Sequence, residues 1–88
     1  MRNVYVVERK RFDFAENKYV EFYPTMEIFS SEAKAKEMVY YTIENEELML
    51  TRQVNTSRDI VIDSKCGEYN IYRFVITKMK VNEYDYSV

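Results

Sequence analysis

The chain has 88 residues, 47% hydrophobic and 32% charged, with a formal net charge of -2, no histidine, and a single cysteine, glycine and proline. A chain of this length encloses one core and buries roughly 64% of its unfolded surface, so one domain is expected over residues 1–82, followed by a flexible tail at 83–88. Without histidine the commonest general base and metal ligand is missing, one cysteine makes neither an internal disulfide nor a thiolate zinc site, and one glycine cannot build a phosphate-cradling loop.

Residues 3–12, NVYVVERKRF, are rich in β-branched and aromatic side chains and predict a strand. Tyr5, Val7, Arg9 and Arg11 share one of its faces, and Val4, Val6, Glu8 and Lys10 the other. DFAENK then supplies turn chemistry, and residues 19–29, YVEFYPTMEIF, return to the strand pattern. Pro24 cannot donate to a ladder, which makes this second strand an interrupted outer one. Ser30 is read as the N-cap of a helix, with Glu32 in the first turn, where a carboxylate favours the helix dipole. At about 100° per residue, Ala35, Met38, Val39, Thr42, Ile43, Met49 and Leu50 form one broad stripe, assigned to the core. Glu46 also projects toward that stripe, so either the helix frays near Asn45 and restarts, or Glu46 sits at the protein edge. Glu32 and Lys36 form a favourable i,i+4 pair on the exposed side.

Residues 53–59, QVNTSRD, read as a polar connection, Ile60–Ile62 as a short strand, 65–68 as a hairpin turn using Gly67, and 69–81 as a long strand. In that last strand Ile71, Val75 and Met79 point one way and Tyr72, Phe74 and Ile76 the other, as expected of a central strand or one whose second face meets another subunit. The expected fold is therefore α+β, a two-layer ββαββ arrangement with a four-stranded antiparallel sheet and one helix packed on one face. Such a sheet leaves its other face to solvent or to a partner.

Charge is unevenly placed. Residues 1–12 hold Arg2, Arg9, Lys10 and Arg11 against Glu8, whereas residues 13–50 hold nine acids against three lysines. A basic first strand beside an acidic helical region favours a partner with its own charge pattern over a bare polyanion. The apolar run Val4–Val7 stops at Glu8, too short for a signal peptide or a membrane span, and the lone Cys66 suits a reducing compartment. A cytoplasmic protein is expected. Richness in Tyr, Lys, Asn, Ile and Met, with little Gly, Pro or Ala, suggests an AT-rich genome of the kind common in phages and mobile elements.

Paired carboxylates, Asp59 with Asp63 or Glu44 with Glu47, are the acid and base chemistry the composition leaves open. Acids that flank strands and line a helix are normally solvated, and no enzyme activity, cofactor or metal is expected. IYRFVIT, residues 71–77, places Arg73 between Tyr72 and Phe74 as in a base-stacking strand, but a basic residue with glycine ahead of the aromatics is missing. Nucleic-acid binding through Arg9, Lys10, Arg11, Lys78 and Lys80 therefore ranks low. The adjacent Tyr40 and Tyr41 carry more weight. Tyr40 projects with Glu37, Glu44 and Glu47 away from the core stripe, and Tyr41 lies to its side; Tyr84 and Tyr86 repeat the chemistry around Asp85. Tyrosine offers large contact area at small entropic cost, and carboxylates bias it toward a basic protein partner. The expected function is thus a small protein-binding module, a phage or mobile-element accessory or inhibitor, with Glu37, Tyr40, Tyr41, Glu44, Glu47, Tyr84 and Tyr86 as its contact residues. The alternative is a homodimer or larger self-assembly formed through the open sheet face or an edge strand.

Overall fold

A computed structural model of the chain describes residues 2–81, and of residues 23–26 the backbone alone. Its elements are β1 (Arg2–Asp13), β2 (Lys18–Phe29), α1 (Glu32–Asn45), β3 (Met49–Asn55), β4 (Asp59–Cys66) and β5 (Asn70–Val81). The strands form one antiparallel sheet in the order β2-β1-β5-β4-β3, with α1 across one face. The α+β class and the single covering helix hold, but the sheet is not four-stranded and the ββαββ order gives way to ββαβββ. Among the described residues no helix is long and apolar enough to cross a membrane.

The extra strand arises where the helix stops. Predicted to run on through Met49 and Leu50, α1 ends at Asn45 because Glu47 turns into the left-handed region at φ 56. The amide of Leu48 donates to the Ile43 carbonyl (2.8 Å) and that of Glu47 to the Glu44 carbonyl (3.1 Å). This pair of bonds closes a Schellman turn, and it brings Leu48 against the core cluster that includes Ile43. Glycine is the usual residue at the left-handed position, so the glutamate there hides the stop from sequence inspection. Met49 and Leu50 lie instead on β3, both exposed.

At the other end the N-cap is Ser31, one residue beyond the expected Ser30, and its Oγ accepts the Lys34 amide at 3.2 Å. The buried stripe of α1 is narrower than predicted: Ala35, Val39 and Ile43 are buried, and Met38 is partly buried against them. They pack on Val7 of β1, Ile60 and Ile62 of β4, and Phe74 and Ile76 of β5. Spacing of four in the helix and two in the strands puts each set on one face.

β5 lies at the middle of the sheet, between β1 and β4, as its two apolar faces predict. β2 is the outer strand expected from Pro24: its register with β1 breaks between Glu8 and Lys10, which pair with Met26 and Glu21. The hairpin between β1 and β2 closes through Asp13, whose Oδ1 accepts the amides of Ala15 (2.9 Å) and Glu16 (3.3 Å). A second break separates Leu50 from Arg52 in β3, the opposite edge. Irregularity at both edges interrupts the ladder another chain would extend.

No described element covers the second face of the sheet. Strand register sets Val4, Val6, Ile28, Val61, Val75 and Met79 together there, beside a row holding Glu21, Lys10, Arg73, Asp63 and Arg52. Ile28 is 65% exposed and Met79 44%.

Candidate functional site

The two neighbouring tyrosines of α1 straddle the helix. Consecutive residues differ by about 100° around the axis, and with Val39 buried beneath them the pair splits toward opposite edges of the sheet. Tyr40, 38% exposed, leans toward β3, where its hydroxyl donates to Gln53 Oε1. Tyr41 is 67% exposed and leans toward the end of β2, over a shallow recess of about 510 Å³ lined by Phe29, Lys34, Glu37 and Met38. A second recess of about 330 Å³ lies between Tyr41 and Glu44, Asn45 and Glu47. The ring among the acids is therefore that of Tyr41, and Tyr40 serves the sheet edge. That exchange follows from β3, a strand the sequence did not reveal.

Around Tyr41 the charge is one-sided. Among the described residues the side chains of Glu37, Glu44 and Glu47 make no ion pair, whereas Glu32 is engaged by Lys36 at 3.5 Å. Among the described residues Lys34 is the one cation lining either recess. Phe29 and Met38, partly buried against the core, supply an apolar floor that the sequence reading did not assign to the site. Its trace in the sequence was Phe29 at the end of the second strand, three residues before the helix. Tyr84 and Tyr86 fall outside the described residues.

Elsewhere among the described residues two arginines each join aromatic rings to a carboxylate. On the helix-covered face Arg9 sends both terminal nitrogens to Glu46, Nη1 to Oε2 at 2.7 Å and Nη2 to Oε1 at 2.6 Å. Its guanidinium carbon lies 4.8 Å from the Phe22 ring centroid, 4.6 Å from Tyr72 and 5.2 Å from Phe74. The side chain of Arg9 is only 11% exposed. Hydrogen bonds from Arg9 hold the Glu46 carboxyl below its ordinary value, with partial desolvation opposing and the cationic charge assisting. Glu46 thus sits at the protein edge, just past the helix, and its projection toward the stripe was the signal for this contact. On the open face Arg73 reaches the buried Asp63, Nε to Oδ1 at 2.8 Å and Nη2 to Oδ2 at 3.1 Å, and stacks on Tyr19 at 4.2 Å. The hydrogen bond to Asp63 raises the Arg73 pKa, so this cation stays charged throughout the accessible pH range.

Asp59 and Asp63 stand four residues apart along β4, about 13 Å, and Asp63 is already bound to Arg73. They form no carboxylate pair. The five cations considered for nucleic acid do not make one track either. Arg9 is locked to Glu46, Lys10 lies on the open face, and Arg11 is separated from the Tyr5–Lys78 register pair by six residues of β1, about 20 Å. Cys66 is exposed at the end of β4.

Comparison with protein-family models, with curated proteins and with solved structures gives no match. The chemistry of the site rests on its own residues.

Proposed function

We propose that the protein is a small non-enzymatic module that docks on the basic surface of another protein, using the outer face of α1 with Tyr41 at its centre and Glu37, Glu44 and Glu47 around it. The observation that carries this reading is the environment of Tyr41: a largely exposed ring over an apolar floor, beside Lys34 and three carboxylates that make no ion pair among the described residues. A rigid aromatic with two rotatable angles contributes contact area at low entropic cost, and the uncompensated carboxylates attract a basic partner and set its orientation. An accessory or inhibitory factor acting in the cytoplasm is the role such a module fits.

The test is site-directed photo-crosslinking in the source cell, with a benzophenone amino acid at position 41 or 44 and, as a control, at 61 on the open face. A defined adduct from 41 and 44 that Glu37→Lys abolishes, with none from 61, supports the reading. Adducts from 61 alone would move the contact surface to the sheet.

A second reading has its own observation. Ile28 and Met79 are exposed beside Val4 on the uncovered face, and two such faces could close on each other as a symmetric dimer. Light scattering after size exclusion, on the wild type and on Ile28→Lys with Met79→Lys, distinguishes the two readings. A wild-type dimer that the double substitution makes monomeric would put self-association first.

A further inference from the structure

Among the described residues the same three-part arrangement occurs twice around Arg73 and Arg9, each time from an aromatic ring, a carboxylate and an arginine that touches both. Arg73 stacks on Tyr19 while its nitrogens grip Asp63. Arg9 lies against Phe22, Tyr72 and Phe74 while its nitrogens grip Glu46. A third set of rings and carboxylates stands at Tyr41. Here Glu37, one turn before, and Glu44, one turn after, flank the ring on the helix surface, and no described arginine stacks on it.

We infer that the partner residue seated in the recess over Phe29, Met38 and Tyr41 is an arginine, presented by a basic segment of the docked protein. This inference rests on the docking reading and narrows its chemistry. A guanidinium is planar, so it lies flat on the phenol ring while its edge nitrogens reach the carboxylates on either side, and its weak hydration lets it leave water for a half-apolar recess. A lysine ammonium is a strongly hydrated point charge and satisfies the carboxylates without covering the ring. Length also fits. The aliphatic stem of an arginine covers the Phe29 and Met38 floor while the head group stays at the rim, beside Tyr41 and Glu37.

Two blocked peptides of equal charge, hexa-arginine and hexalysine, test this by titration into the uniformly ¹⁵N-labelled full chain at physiological salt, with amide shifts as readout. The expected result is that both peptides shift residues 37–47 and that hexa-arginine binds about two- to fivefold more tightly, the factor a partly exposed cation–π contact gives. Tyr41→Phe keeps the preference because the ring remains, whereas Tyr41→Leu abolishes it, bringing hexa-arginine down to the affinity of hexalysine; the Tyr41 side chain is mostly solvent-facing and the fold is checked by the spectrum itself. Equal affinity of the two peptides at this face would overturn the arginine assignment and leave the docking reading standing. Shifts confined to other surfaces would overturn both.

Discussion

Arg9 of β1 and Glu46, the residue that caps α1, are joined by two hydrogen bonds of 2.7 and 2.6 Å, and this pair ties the end of the helix to the sheet. Arg9 contributes more than charge, because its stem and guanidinium also fill the space among three aromatic rings. Glu46 is the more exposed partner. Substituting Arg9 is therefore expected to cost more than substituting Glu46. Arg9→Ala should lower stability by about 2–3 kcal/mol and Glu46→Ala by about 1 kcal/mol, with a coupling of roughly 1 kcal/mol in the double-mutant cycle. Urea unfolding of the four proteins measures it, and equal single-mutant costs would show that packing around Arg9 contributes little.

The same pair gives a pH dependence of defined sign. The folded carboxyl of Glu46 titrates below its unfolded value. A group depressed in this way stabilises the fold fully above the unfolded value, about 4.3, and loses that contribution as pH falls through the lower folded value. The stability difference between wild type and Glu46→Gln should be flat from pH 6 to 8 and shrink below about pH 4. A difference that grows on acidification would contradict the assignment.

Asp63 is buried on the open face with Arg73 across its carboxylate. Asp63→Ala leaves a partly covered guanidinium without its partner, and a loss of about 2–3 kcal/mol is expected. Arg73→Lys keeps the charge but not the two-pronged geometry or the stack on Tyr19, for a loss of about 1–2 kcal/mol. Thermal unfolding followed by circular dichroism ranks the two, and the reverse order would place the stabilisation in the Tyr19 stack.

Glu47 occupies the left-handed position of the turn that ends α1. Glu47→Gly should raise stability by about 0.5–1 kcal/mol, since glycine enters this conformation without the steric cost of a side chain. It also removes one carboxylate from the rim around Tyr41, so the variant is expected to bind hexa-arginine more weakly while unfolding at higher denaturant. A loss of stability would mean that the Glu47 side chain holds the turn through a contact of its own.

How much of this was legible in the sequence follows from what each signal measures. Alternation of β-branched and aromatic residues predicted β1, β2 and the long β5. Pro24 predicted that β2 would be an outer, interrupted strand, and the spacing of Ala35, Val39 and Ile43 located the helix and its buried side. Those properties are local, set by side-chain period and backbone chemistry over a few residues. β3 was not legible. Its segment MLTRQVN is almost wholly exposed, so it carries no burial pattern, and it is a strand because β4 offers it a ladder.

The division at the site is the same. Composition and helical period predicted a tyrosine among the acids on the outer face of α1, because an 88-residue interior has no room for nine phenols. Which tyrosine stands among the acids was decided only by tertiary structure, when β3 took up Tyr40 and left Tyr41 over Phe29 and Met38. The arginine clamps belong to the same category. Arg9 and Glu46 are 37 residues apart and meet because the helix returns across the sheet, a distance no sequence period encodes.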